Sequence, residues 1–432
     1  MRFVTDCAYL LAAMVITPVV LYRMVRYKRY RAGWTNRLGR IVRKDPALKK
    51  CIWLHAVSVG EVNATKTIVN QLQSKFPDFE IVISTTTDTG FARAKALFGE
   101  RLLVFYFPLD LSWIMYRAFH GIQPAICLLM ELEVWPNFVK IAEQLKVPVV
   151  VINGRLSEES FEKYKKIRPI AKSIFRKVSL ILAQTEEYAE RFREIGCAKE
   201  RVIVTGSLKY DTAQITDKVD GSDDLAAQIK IKKQKLLVAG ATGNDEEKIL
   251  LDVYRDLKKQ DQFNNLRLAV VPRKPERFDE VAQLVEQAGF SLVRYSEIKE
   301  GRALPTGSKQ AVILGDTMGD LRKFYSLATI IFVGRSLVPM GGSDMAEAAA
   351  LGKCTIFGPH AFNFKQTVDA LLSDDGAIMV KDEHELADAI QKCLTEPDFA
   401  KTIAQNGQEV IRKNQGATAK TIEQIAKFLP PH

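Results

Sequence analysis

No C-x-x-C pair occurs in this sequence, and its six cysteines, Cys7, Cys51, Cys127, Cys197, Cys354 and Cys393, stand apart without metal-ligand spacing to the five histidines. That scarcity argues against a structural zinc site and for free thiols in a reducing compartment. No internal repeat of solenoid period and no low-complexity tract is present, which removes repeat arrays and disordered scaffolds. The apolar stretch at the amino terminus is also short: Cys7 to Tyr22 is sixteen residues without a charge and holds Pro18, against the roughly 20 that a spanning helix wants.

Hydrophobic residues make up 47% of the 432, a globular proportion, and the length suggests two domains of roughly 180 to 200 residues. The net charge of +11 resembles a nucleic-acid signal until it is located. Arg23 to Lys50 holds eleven Lys or Arg and one acid, Asp45, so this segment carries +10 and the rest is nearly neutral. One basic patch beside an apolar run argues against a nucleic-acid face. Because the cations follow the apolar run, a cleaved signal peptide is disfavoured. The positive-inside rule then keeps the bulk of the chain cytoplasmic, held to the inner membrane by one amino-terminal helix, with a buried core helix as the other reading.

Apolar runs alternate with amphipathic stretches. Cys51 to Val59, Glu80 to Ser84, Leu103 to Phe107, Ala125 to Met130, Val147 to Ile152, Leu180 to Ala183 and Arg201 to Thr205 read as strands. After a polar stretch, 212–233, the rhythm restarts with Leu236 to Ala239, Leu266 to Val271, Ala311 to Leu314, Thr329 to Val333 and Thr355 to Phe357. This is the βα alternation of parallel sheets, here two doubly wound Rossmann-like domains meeting at a cleft. The expected boundaries are an anchor and basic segment at 1–31, a first domain at 32–211, a linker at 212–233 and a second domain at 234–432.

The chemistry gathers at strand ends. In His55-Ala56-Val57-Ser58-Val59-Gly60-Glu61-Val62, Gly60 permits a turn and helical spacing runs from Val62 to Leu72. Glu61 then lies at the carboxyl edge of a sheet, as a general base or merely as a first-turn acid complementing the helix dipole. Glu131 and Glu133 alternate at another strand end and share a face of the extended chain, and Asn153-Gly154-Arg155 adds a cation at the same edge. In the second half, Pro272-Arg273 follows a strand and places a guanidinium for phosphate. Gly315-Asp316-Thr317-Met318-Gly319-Asp320 is a glycine-edged turn, and Gly341-Gly342-Ser343-Asp344 opens a helix over Met345 to Leu351. Glycines before a helix let backbone N–H groups meet a phosphate. Asp344 with Glu347 is equally a capping box, while the sharper reading has Glu347 accepting from ribose hydroxyls.

Taken together these segments resemble the 3-deoxy-D-manno-octulosonic acid (Kdo) transferases of lipopolysaccharide synthesis over nearly the whole chain. The resemblance is carried by H-A-V-S-V-G-E, M-E-x-E-x-W-P-N, N-G-R-L-S, T-G-S-L-K-Y-D at Thr205 to Asp211, V-P-R-K-P-E-R-F, G-D-T-M-G-D-L and G-P-H-A-F-N-F at Gly358 to Phe364. It implies a GT-B fold, a CMP-Kdo donor, a lipid A precursor as acceptor, anionic membrane lipids as partners, and neither cofactor nor catalytic metal. It also implies Glu61 as catalytic base and Glu131, with Arg155 and Lys209 in matching motifs, on the acceptor or Kdo side. Pro272, Arg273, Met318, Gly319, Asp320, Gly342, Ser343, Asp344 and Glu347 fall on the CMP side. Two departures touch the donor half: Gly341-Gly342-Ser343-Asp344-Met345 stands where relatives have Gly-Gly-His-Asn-Pro, and a histidine is missing around Ala241 to Glu247. A transferase or epimerase using a uridine-linked sugar, and a membrane-tethered nucleotide-binding module without chemistry, are the alternatives.

Overall fold

The computed structural model describes residues 2–26, 31–43, 50–231, 234–304 and 310–429. Parts of the basic segment, 27–30 and 44–49, and residues 232–233 of the expected linker lie outside the described residues. The chain forms two compact units, Met1–Thr212 with Gln415–His432, and Ala213–Asn414.

In the first unit, seven strands make one parallel sheet: β1 (Lys50–His55), β2 (Phe79–Thr85), β3 (Leu103–Tyr106), β4 (Pro124–Met130), β5 (Val149–Gly154), β6 (Leu180–Ala183) and β7 (Val202–Val204), in the order β3-β2-β1-β4-β5-β6-β7. The order reverses between β1 and β4, whose register pairs Leu54 with Leu128 and His55 with Leu129. Strands buried on both faces read as apolar runs rather than alternating ones, which is why their sequences are legible. On one face Trp53 packs among Phe105, Phe107, Phe119 and Phe138 with ring centroids 5.1–6.0 Å away, and its indole N–H donates to the Ser84 hydroxyl at 2.8 Å.

The second unit repeats the plan with β8 (Lys235–Thr242), β9 (Leu266–Pro272), β10 (Leu292–Arg294), β11 (Val312–Leu314), β12 (Ile330–Val333), β13 (Cys354–Phe357) and β14 (Ile378–Met379), all parallel, in the order β10-β11-β9-β8-β12-β13-β14. Here the reversal falls between β8 and β12. Its core joins Leu237, Ala239, Leu268 and Phe332 to helix residues such as Leu250, Tyr254 and Ile390.

Three boundaries differ from the sequence reading. The strand expected over Cys51 to Val59 stops at His55, and the helix begins at Val59, so Gly60 lies inside its first turn. Ser58 takes the N-cap, where a hydroxyl satisfies an orphan N–H more cheaply than a glycine turn does. The helix expected over Met345 to Leu351 ends at Ala349. The last helix, Ala417–Ala426, was assigned with the second domain but packs in the first unit: Ala417, Ile422 and Ile425 share a core with Val62, Ile68 and Leu72. Asp211 of the T-G-S-L-K-Y-D segment caps that return, accepting the N–H groups of Gly416, at 2.7 Å, and Thr418.

At the amino terminus, Arg2–Arg26 is a helix. Among the described residues no helix is long and apolar enough to cross a membrane, so the spanning anchor expected over 1–31 is not shown. The helix has a polar attachment instead. Asp6 accepts from the Ser112 N–H and the Asn137 side-chain amide, both at 2.9 Å, and from the Ser112 hydroxyl. Leu10, Leu11, Met14, Val15 and Val25 remain exposed, and Arg31 closes the carboxyl end by donating to the Met24 carbonyl at 2.7 Å. All six cysteines are free thiols.

Candidate functional site

Glu61 is the third residue of the helix that follows β1, at the sheet's point of reversal, where open α/β sheets place their ligands. The local sequence fixes the carboxylate from two sides. The Val57 N–H donates to Oε2 and the Ser58 hydroxyl to Oε1, both at 2.9 Å, while the Glu61 N–H donates back to Ser58 Oγ at 3.3 Å. The first-turn role weighed against catalysis is therefore real, and it orients the acid without neutralising it. Burial pushes the Glu61 carboxyl up to about 7 against the restraining Val57 N–H; the charge of Glu131 adds to the rise, the Ser58 hydroxyl restrains it, and Glu133 adds again. A carboxyl with that affinity for protons suits general base work near neutral pH.

Glu131 follows β4 with a left-handed backbone, φ 55°, and its Oε1 lies 3.9 Å from Lys209 Nζ. Its neighbour Glu133 accepts from the Trp135 indole at 3.0 Å, and burial raises its carboxyl above the usual range. Arg155 is exposed after β5, and among the described residues no hydrogen bond or ion pair joins it to these acids. His55, the histidine of the same octapeptide as Glu61, is wholly buried. It stacks on Phe107, bonds Ser84 through Nδ1, and burial drives its pKa down to about 3. It is a neutral core residue.

In the second unit, the residues expected on the CMP side gather along the carboxyl ends of β9, β11 and β12. Pro272 is the buried last residue of β9, and Arg273 is exposed beyond it with its N–H on the Thr242 carbonyl at 3.1 Å. The Arg273 charge is felt by Glu347 and by Tyr325. Burial raises the half-buried Glu347 carboxyl and the charge of Asp344 adds to it, while Arg322 and Arg273 oppose. Asp344 caps its short helix by accepting the Ala346 N–H at 3.0 Å. Ser343 Oγ donates to the Ala241 carbonyl at 3.3 Å. Gly342 has φ +81°, and a Cβ there would lie 3.0 Å from the Ala361 backbone, so only glycine allows this close pass.

Met318 is exposed and Gly319 has φ +89° with open space around it. Asp320 differs from both. Its buried carboxylate bonds Lys299 at 3.1 Å, Lys323 at 2.8 Å and the Thr317 hydroxyl at 2.7 Å. Burial alone would raise it, but the bonds from Lys323, Thr317 and Lys299 together hold it below the usual range. The loop can therefore offer a ligand its backbone and Met318, with the acid holding the turn in shape.

One residue escaped the sequence reading. Glu246, wholly buried at the start of the helix after β8, accepts backbone N–H groups from Gly243, at 2.9 Å, and from Arg335, Ser336 and Leu337. The Gly243-to-Glu246 spacing at a strand-to-helix turn was its only local signal; the three partners after β12 are some 90 residues away. Beside it, Glu247 forms a bidentate pair with Arg277, at 2.6 and 3.2 Å, tying the start of the helix after β8 to V-P-R-K-P-E-R-F.

The family model for 3-deoxy-D-manno-octulosonic-acid transferase (kdotransferase) matches residues 32–212. The 3-deoxy-D-manno-octulosonic acid transferase of Haemophilus influenzae is 33% identical, covering 99% of this chain and 99% of its own length. The corresponding enzyme of Bordetella pertussis is 29% identical over 98% and 99% of the two chains. A solved glycosyltransferase from Rickettsia africae shares the fold at TM-score 0.56 and 15% identity, covering 89% of this chain and all of that one. With identity over both units and a fold of the GT-B type, the chain belongs to the 3-deoxy-D-manno-octulosonic acid transferase family.

Proposed function

We propose that this protein is an inverting glycosyltransferase that moves Kdo from CMP-Kdo to a lipid A precursor at the inner membrane. The observation that carries the reading is Glu61: a carboxyl held by two donors at the point of reversal, with its proton affinity raised to about 7, in a chain of this family. Glu61 takes the proton from an acceptor sugar hydroxyl as that oxygen bonds to the anomeric carbon of Kdo. The bond from that carbon to the CMP phosphate breaks, and the phosphate leaves with the electron pair. One displacement inverts the centre.

The charge that develops on the phosphate needs fixed donors more than chemistry. Arg273 supplies a guanidinium, the glycine-edged turns at Gly319 and Gly342 supply backbone, and Glu347 accepts from the ribose hydroxyls. On the acceptor side Glu131, Lys209 and Arg155 contact the sugar acid or the lipid sugar. No resident metal or cofactor enters this scheme. The exposed apolar side chains of helix Arg2–Arg26 and the cations that follow it attach the protein to anionic lipid, at about 1 kcal/mol per cation near the surface.

Mass spectrometry of a lipid A precursor incubated with the protein and freshly made CMP-Kdo tests the reaction. The expected product carries added Kdo, and CMP appears with it. Titration with CMP, UMP and UDP tests the nucleotide, because a preference for UDP would move the protein to the uridine-linked sugars. CMP binding without turnover would leave only a nucleotide-binding module.

A further inference from the structure

The first unit carries a second basic feature that its net charge conceals. From Lys163 to Lys177 there are seven Lys or Arg and no acid. Lys163 and Lys165 find carboxylates on their own helix, and Lys177 pairs with Glu143. Arg168, Lys172 and Arg176, together with Arg201, have no carboxylate within 4 Å among the described residues, and all four line one cavity of about 480 Å³. Its floor is apolar, made by Phe175, Val178 and Ile181.

The cavity is built by close packing. Gly196, at φ +117°, lets the Lys172 stem lie where a Cβ would meet it at 2.6 Å. Arg201 Nη1 donates to the Arg176 carbonyl at 3.1 Å. On the inner side Arg193 pairs with Glu186 and Glu190, yet its buried Nε has no partner. Val178 precedes β6 and Arg201 precedes β7, so the cavity lies at the amino ends of the strands, opposite the edge that carries Glu61 and Glu131.

Four cations around one cavity repel one another, and a dianion both removes the repulsion and supplies acceptors for guanidinium forks. We infer that this cavity binds a phosphomonoester, either free or on a lipid headgroup, at a site separate from the transfer reaction. The inference does not rest on the identity of donor or acceptor.

The full chain is to be sedimented with phosphatidylcholine vesicles with and without phosphatidic acid, and titrated in parallel with inorganic phosphate. The wild type binds only the phosphatidic acid vesicles. R168Q/R176Q/R201Q weakens that binding at least about tenfold, while K163Q/K165Q/K166Q, which removes equal charge outside the cavity, changes it far less. R168Q alone serves if the triple variant melts early. Binding of inorganic phosphate that R168Q abolishes, without vesicle binding, keeps the phosphate site and assigns it to a soluble ligand. Equal losses in the two triple variants, or no binding in either arm, overturns the inference.

Discussion

Each unit places a glutamate in the first turn of the helix that follows the strand at its reversal, Glu61 after β1 and Glu246 after β8, and the two carboxylates have different surroundings. Glu61 has two donors, partial access to solvent and two acids nearby. Glu246 has no access and four backbone N–H groups, three of them from the loop after β12. The same position in the same topology thus yields a partly exposed carboxyl of raised proton affinity in one unit and a latch between two loops in the other. What decides is how completely the backbone satisfies the acid, a property of the neighbouring loop rather than of the glutamate.

The sharpest way to break this contrast is to make the same change twice. Glu61→Gln keeps an oxygen for the Val57 N–H and turns its N–H₂ to the Ser58 oxygen, which can accept it, but has no proton affinity to offer, so transfer should fall by about 10² to 10⁴ with CMP affinity close to wild type and no loss of melting temperature. Product formation by mass spectrometry reads it, and near-normal turnover removes the base assignment. Glu246→Gln should do the reverse. Its amide turns an N–H₂ toward backbone donors, leaving buried N–H groups unpaired at about 1–3 kcal/mol each. The expected result is a clear drop in the melting temperature, together with weaker CMP binding where the loop after β12 loosens. A Glu246→Gln protein as stable as wild type would end the latch.

Proton affinity gives a finer test. With Glu61 raised to about 7, kcat/KM should climb with pH and reach half its plateau near 7. Glu131→Gln removes a charge that raises Glu61, so the midpoint should move down; an unmoved midpoint would separate the two acids. Stability has the opposite sign. Between the ordinary carboxyl value of 4.5 and about 7 the native state holds a proton that the unfolded chain has released. The Glu61 contribution is therefore complete below 4.5 and is lost as pH rises toward 7. Relative to Glu61→Gln, which does not titrate, the urea midpoint of the wild type should fall across that window and level off above about 7.

These outcomes also mark what a sequence can carry. Strands buried on both faces announced themselves as apolar runs, and Glu61 was visible because Ser58 and the helix spacing lie within a few residues of it. The T-G-S-L-K-Y-D segment was visible too, but the use of Asp211 as a cap was not, because its partners Gly416 and Thr418 are more than 200 residues away. Glu246 and the return of Ala417–Ala426 to the first unit were hidden for the same reason: long-range contacts leave no periodicity. The cations from Arg168 to Arg201 were masked by acids in neighbouring helices, which cancel them in a count of charge but lie outside the cavity they line.

The smallest expected effect concerns Asp344, which the resemblance to the family sets on the CMP side where an asparagine is expected. Asp344 caps Ala346, and asparagine caps about as well as aspartate, so Asp344→Asn should leave the helix start and the melting temperature unchanged. It removes a negative charge that both raises Glu347 and opposes any phosphate held near Arg273. A single partly screened charge is worth about 0.5–1 kcal/mol, so CMP should bind about two- to fivefold more tightly, and the gain should shrink as salt is added. Calorimetric titration at two ionic strengths measures both. Because Glu61 has five competing influences on its proton and Asp344 leaves all five untouched, the pH midpoint of transfer should stay fixed while CMP affinity changes. A shift of that midpoint in Asp344→Asn would mean that the acids of the two units titrate together, and the contrast between a base and a binding edge would have to be redrawn as one coupled system.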